Sequence, residues 1–467
     1  MQYPADSTGD NTGVMPQGPA AVRTPRTAPG MTRRAMLMLG SASALLAACR
    51  RTPARQPMQE EGPPPGIQKG AVIQWAVDSG PTRTKLRQDQ VALFKQKFPD
   101  IEVQFIEGAT DTEKLLAMFA GGTPPDLFRQ ETFGFATFVS RGAITALDPY
   151  IRRDRFDTED FFPAALRNWQ WKGRQYGIPF LGIRIMYYNR AMVDQAGAAR
   201  PPASWKDGRW TWDAFLELAR KVVVRQGTSA TRWAFDVGTV RRDWQTWVWS
   251  NGGELFSDDG TKTFLGEEPA IQALQFLADL IHRHRVAPTA AERRDQGGRR
   301  GLFLGGNLLM YHEPVNSVAA NRREVTFDWS LTATPHGRGK ATSSGGGVGW
   351  FLSEPSRVKN ETWELMKVLA SKESVKMEAV RGEAPPGRIS VARDPEFVNP
   401  PEPPGADMKV VVEALEVMHI EPPLINGVEI DRILADALAP VWAGEQGARE
   451  AIQAVLPRIT PLLNPAG

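Results

Sequence analysis

AVIQWAVDSGPTRTKLRQDQVALFKQKFPDIEVQF, residues 71–105, packs three structural periods into one stretch and decides the fold class. Residues 71–77 are a short, nearly continuous apolar run, the signature of a buried strand, and Asp78-Ser79-Gly80-Pro81 supplies turn chemistry at its end. Leu86, Val91, Phe94 and Phe98 then recur at helical spacing until Pro99 stops the helix. Residues 101–105 alternate apolar and polar as a second strand. Strand, helix, strand in this order predicts α/β layering around a mixed or parallel sheet.

Downstream, residues 113–119 read as a helix halted by the glycines and prolines of AGGTPPDLF, residues 120–128, ahead of a short strand. Thr211 is a natural N-cap, with Asp213 in the first turn where negative charge suits the helix dipole. Pro269 opens a helix whose stripe is Ile271, Leu274, Leu277, Leu280 and Ile281. Residues 362–371, 408–418, 430–442 and 448–456 give a helix-rich C-terminal half, and no internal repeat is present.

Upstream, residues 50–69 are polar with a triple proline and read as an extended tether. Before them, Arg33 and Arg34 precede an uncharged run ending at Leu46-Ala47-Ala48-Cys49, the order of a secretory signal over residues 31–48. The run is shorter than the roughly 20 residues that cross a bilayer as a helix. The tripeptide before Cys49 resembles the lipobox of bacterial lipoproteins, so the expectation is export, with Cys49 acylated as a membrane anchor. Thr32-Arg33-Arg34-Ala35-Met36-Leu37 also resembles a twin-arginine export signal. Residues 1–30 lack periodicity and are expected to be a non-structural upstream extension, with translation starting at Met31.

From Cys49 onward the chain is too long for one ordinary core of about 100–200 residues, which predicts two lobes. Its 56 basic and 53 acidic side chains are interspersed, leaving no broad basic face for nucleic acid. A single cysteine excludes an intrachain disulfide, and 14 tryptophans are the compositional outlier. The five histidines form no metal-ligand spacing, Ser356-Arg357-Val358-Lys359 lacks its companion penicillin-binding motifs, and Gly337-Arg338-Gly339-Lys340 is not a P-loop. Neither a cofactor, a metal nor catalytic residues are therefore expected.

Further segments carry a resemblance: FPDIEV from Phe98, AGGTPPDLF from Ala120, GAITALDPYI from Gly142, GRQYGIPF from Gly173 and YYNR from Tyr187. PPASW from Pro201, WSNGG from Trp249, FLGGNLLM from Phe303 and GGGVGWF from Gly345 complete the series. In this order and spacing the chain resembles the sugar-handling extracellular solute-binding proteins of ABC importers, relatives of maltose-binding protein. The resemblance implies a two-lobed periplasmic-binding-protein fold of class α/β, each lobe a mixed sheet flanked by helices, with the ligand cleft between lobes. It places residues 70–181 plus 349–398 in the N-terminal lobe and 182–348 plus 399–467 in the C-terminal lobe. Crossovers are implied after Phe180, near Gly345 to Gly349 and near Arg393 to Pro401. The glycine run at 345–347 suits a hinge, since residues without a Cβ absorb dihedral change.

A sugar site needs aromatic plates and planar donors and acceptors. Trp244 and Trp247, in DWQTWVW, share a face if that segment is helical, as the resemblance implies, and are the aromatic candidates. Asp78 and Ser79, and Gln130 and Glu131, fall at strand carboxyl ends, where open α/β sheets place ligands. By resemblance Tyr311, Glu313, Trp350 and Arg388 join the ligand-binding set. The expected activity is capture of a mono- or oligosaccharide by a monomeric, lipid-anchored receptor and its delivery to the permease subunits, with no bond made or broken. The alternatives are a glycerol-phosphate-type solute, which needs converging cations such as Arg184, Arg241, Arg242 or Arg388, and a secreted glycoside hydrolase using two carboxylates.

Overall fold

The computed structural model describes residues 66–227, 229–399 and 407–465. The expected upstream extension, signal segment, Cys49 and the tether as far as residue 65 lie outside these residues, as do residues 400 and 401 of the third expected crossover; residues 393–399 of it are described, with Pro395–Val398 a short helix.

The opening segment folds as its periodicity dictates. Strand Val72–Val77 buries Ile73, Trp75, Ala76 and Val77. Helix Pro81–Lys97 has proline in its first turn and Lys95 and Lys97 in its last, and Glu102–Glu107 runs parallel to the first strand with Trp75 opposite Phe105. Helix Thr112–Ala120 is capped by Asp111, whose carboxylate accepts from the backbone of Glu113 at 2.9 Å and Lys114 at 3.1 Å. These elements build a five-stranded sheet in the order Glu102–Glu107, Val72–Val77, Leu127–Glu131, Gly347–Leu352, Gly177–Leu181. The first three strands are parallel, and Gly347–Leu352 runs antiparallel to both its neighbours. One face packs around Trp75, Trp350 and Trp363, the other around Phe128, Phe135, Trp169 and Phe351, so helices cover both sides.

The second lobe is a mixed sheet in the order Met418–His419, Ser343–Ser344, Arg184–Asn189, Leu308–Pro314, Ser229–Asp236, Val224–Gln226, with Trp329–Thr332 also pairing Arg184–Asn189. Strands Leu308–Pro314 and Ser229–Asp236 are parallel. Helix Trp212–Val222 starts at Thr211, whose hydroxyl accepts from Ala214 N at 3.2 Å, as its sequence predicts. The DWQTWVW segment is helical, within Arg241–Ser250.

The chain passes from the first sheet to the second between Leu181 and Arg184, and returns between Ser344 and Gly347. These two crossings nearly touch: a Cβ on Gly347 would stand 2.0 Å from Gly182 N, and Gly347 has φ +76°. Glycine is required there by both contact and conformation.

Candidate functional site: the cleft at the strand ends

Parallel strands deliver their carboxyl ends to one edge, where unsatisfied loops can shape a ligand site. In the first lobe that edge carries Asp78, Ser79 and Glu131; in the second it carries the turn after Asp236 and the end of Leu308–Pro314. Two neighbouring cavities lie along it. One, of about 70 Å³, sits between the lobes beside the crossings and is lined by Glu131, Phe133, Gly182, Arg184, Arg242 and Pro314, among others. The other, of about 450 Å³, is lined by Val240, Asp243, Arg293, Arg299, Tyr311 and Glu313, among others.

The charged groups here are paired with one another. Arg242, from the second lobe, forms an ion pair with Glu131 of the first, and its guanidinium lies 5.2 Å from the Phe133 ring. Arg184 holds Asp243 at 2.6 Å. Arg299 reaches three carboxylates, Asp236 at 2.6 Å, Asp243 at 3.0 Å and Glu313 at 2.9 Å, and also donates to the His312 carbonyl at 3.0 Å. Burial would raise the carboxyl pKa of Asp243, but Arg299 and Arg184 outweigh it and hold it below the usual value. His312 is buried beside them; loss of solvation, reinforced by Arg184, pushes its pKa down to about 3, so the ring is neutral. Behind the cleft wall, Arg241 binds Glu421 at 2.8 Å and Asp431, while Gln245 donates to Glu421 and, at 2.8 Å, to the Ser344 hydroxyl on a crossing strand.

Of the residues singled out from sequence, Glu131, Tyr311 and Glu313 line these cavities. Tyr311 is nonetheless 2% exposed, stacks on Tyr187 at 5.1 Å and accepts from Asn321 at 2.8 Å. Asp78 stands at the same edge but is bound to Arg129 at 2.7 Å and Arg83 at 3.1 Å, and Ser79 beside it is exposed. Gln130 is turned inward, accepting from Thr112 at 2.9 Å.

Four expectations are corrected. Trp244 and Trp247 are 1% and 0% exposed and belong to the second-lobe core; Trp247 is ringed by Trp212, Phe215, Phe235 and Phe276. Trp350 is 1% exposed, packed edge-on to Trp75 under the Arg87 guanidinium. Arg388 is buried away from the cleft, donating to the Ala370 carbonyl and pairing with Asp157 at 3.2 Å and Asp160 at 3.1 Å. The physical reason is common to all four: each side chain already has its contacts filled by protein. Of the 14 tryptophans only Trp171 and Trp212 escape full burial, and neither lines the two cavities. The aromatic surface of the cleft comes from Phe133, which is half-buried. Sequence reasoning missed Phe133, Asp243, Arg293 and Arg299; the one signal for them was position, since Phe133 follows a strand end and Asp243 opens a helix.

Residues 79–376 match the family described as bacterial extracellular solute-binding protein. The lactose-binding protein of Rhizobium radiobacter is 25% identical over 317 residues, covering 65% of this chain and 71% of that protein. An ABC substrate-binding protein from Listeria monocytogenes, solved with cycloalternan, superposes with a TM-score of 0.72 at 22% identity, over 84% of this chain and 98% of that one. UgpB from Mycobacterium tuberculosis, solved with glycerophosphocholine, gives 0.69 at 20%, over 84% and 98%. Two interleaved α/β lobes, a cleft at their strand ends and a family match across both sheets lead to one conclusion: the chain belongs to the bacterial extracellular solute-binding proteins.

Proposed function

We propose that this protein captures a neutral carbohydrate in the cleft and delivers it to an ABC permease, without chemical change to the solute. The observation that carries the reading is the charge balance of the site. Arg184, Arg242 and Arg299 each have a carboxylate partner, which supports a hydroxyl-rich, uncharged ligand over a phosphate. A phosphate needs cations free to converge on it. Paired arginines and carboxylates still offer lone pairs and N–H groups to sugar hydroxyls, while Phe133 gives apolar surface for a ring face. The lobes turn about the crossings at 181–184 and 344–347, closing on the solute. Residues 70–181 plus 349–398 and 182–348 plus 399–467 form the two moving bodies. Cys49, acylated after export, tethers the monomeric receptor beside its permease.

The test is a thermal-shift screen of the purified chain against lactose, maltose, cycloalternan, glycerol 3-phosphate and glycerophosphocholine, followed by product analysis of any hit. A ligand that binds only the native state raises the apparent melting temperature. A shift with a neutral saccharide and no new reducing ends supports the reading. A shift only with the phosphates, or hydrolysis of a saccharide, rejects it.

A further inference from the structure

The two cavities at the strand ends are unequal, and an ion pair divides them. The one between the lobes offers about 70 Å³, below the roughly 300–1,000 Å³ of sites that enclose a small organic ligand. The other, about 450 Å³, falls inside that range, and all of its lining residues lie between Thr239 and Ser317, in the second lobe. Arg184 lines the first cavity and Asp243 the second, and the two side chains meet at 2.6 Å. On strand Leu308–Pro314 the same division falls between Pro314, which lines the first, and Glu313, which lines the second.

The larger cavity keeps hydrogen-bonding capacity that the protein does not use. Arg293 sits in helix Ala290–Asp295, whose start is fixed by a reciprocal cap between Thr289 and Glu292. Its Nη1 donates to the Val237 carbonyl at 3.2 Å and faces Asp236 at 3.4 Å. Among the described residues its Nε and Nη2 have no partner, and Asp236 is already held by Arg299 at 2.6 Å. Glu313 accepts from Arg299 through Oε2 at 2.9 Å, while Oε1 has no partner among the described residues. Val240, 52% exposed, adds an apolar side chain to the wall. A guanidinium fork only donates and a carboxylate oxygen only accepts, whereas a hydroxyl does both. An oriented fork and a spare carboxylate oxygen in one cavity therefore suit a unit rich in hydroxyls, and the carboxylates of Asp243 and Glu313 disfavour an anion.

On the carbohydrate reading above, we propose that the solute is an oligosaccharide of at least two units. One unit occupies the second-lobe cavity, where Arg293 and Glu313 read its hydroxyls. The next lies across the Arg184–Asp243 pair, against Phe133 of the first lobe. A monosaccharide fills one side of that pair and forgoes the contacts of the other, so Arg293 and Phe133 together set a minimum length.

Isothermal titration of the full chain with glucose, galactose, lactose, maltose and maltotriose reads this length dependence. Lactose or maltose is expected to bind at least about ten-fold more tightly than its component monosaccharides. Arg293→Ala should weaken that disaccharide about ten-fold, the effect of losing hydrogen bonds from a charged donor. Phe133→Ala should weaken it as well, because the two residues hold different units. Ser317→Trp, which narrows the second-lobe cavity from another wall, should bring the disaccharide to the affinity of a monosaccharide. Arg299 still holds Asp236 in Arg293→Ala, so its urea unfolding should match wild type and its affinity loss is not a loss of fold. A monosaccharide that binds as tightly as its disaccharide overturns the two-unit site and leaves the carbohydrate reading intact. So does an affinity that responds to Phe133→Ala but to neither Arg293→Ala nor Ser317→Trp. Binding of glycerophosphocholine with none of the five saccharides rejects the carbohydrate reading and the two-unit site with it.

Discussion

Replacing Trp247 separates a ligand plate from a core side chain. The residue is 0% exposed, and its ring centroid lies 5.3 Å from Phe235, 5.8 Å from Phe276, 5.9 Å from Phe215 and 6.2 Å from Trp212. Truncating a fully buried tryptophan to alanine costs about 3–5 kcal/mol from lost transfer energy and the cavity left behind. At about 2–4 °C per kcal/mol for a folding unit of 150–250 residues, Trp247→Ala should melt about 6–20 °C below wild type. Trp247→Phe keeps most of the apolar volume and the edge-on contacts, so a loss of about 1–2 kcal/mol is expected, within the range of core size changes. Urea unfolding gives the stability of both variants, and isothermal titration of Trp247→Phe with whichever solute the screen finds gives affinity. The reasoning predicts reduced stability with an unchanged dissociation constant. Wild-type stability together with a ten-fold weaker constant in Trp247→Phe would refute it and return Trp247 to the cleft.

Asp243→Asn removes the shared partner of Arg184 and Arg299 and should destabilise the second lobe by about 3–5 kcal/mol, the usual cost of breaking a buried pair, read by urea unfolding. Because the Asp243 carboxyl is held below its unfolded pKa, it contributes stability above about pH 4 that disappears as pH falls further; the acid limb of the stability curve should flatten in Asp243→Asn. The His312 ring, with a pKa of about 3 against about 6.5 when unfolded, should show no NMR titration between pH 8 and 5, and a midpoint above pH 5 would contradict its burial as a neutral group. Protonation of the unfolded histidine makes its stabilising contribution full above about pH 6.5 and progressively lost below. Gly347→Ala forces a Cβ into the crossing at φ +76° and 2.0 Å from Gly182 N, and should cost more than the roughly 1–2 kcal/mol of a left-handed residue, measured as a drop in melting temperature.

Much of the architecture was legible locally. The 71–105 segment declared strand, helix and strand through apolar periodicity and Pro99, and the Thr211 cap and the Pro269 start carry their geometry in their own side chains. The strand ends at Asp78 and Glu131 were legible too, because turn chemistry follows a buried run. What sequence could not weigh was which aromatics stay free. DWQTWVW gives a helix with tryptophans on neighbouring faces, but whether a face meets solvent or another layer depends on Phe235 and Phe276, which are remote in sequence.

The sequence by itself determined the elements, their layering and the glycines at the crossings, because hydrogen bonding, period and backbone conformation act over a few residues. Tertiary structure alone decided the site. It brought Asp236, Asp243 and Glu313 around Arg299, set Glu131 against Arg242 from the opposite lobe, and buried Trp244, Trp247 and Trp350. Electrostatic pairing and close packing depend on distance in space, and the chain order of these residues holds no measure of it.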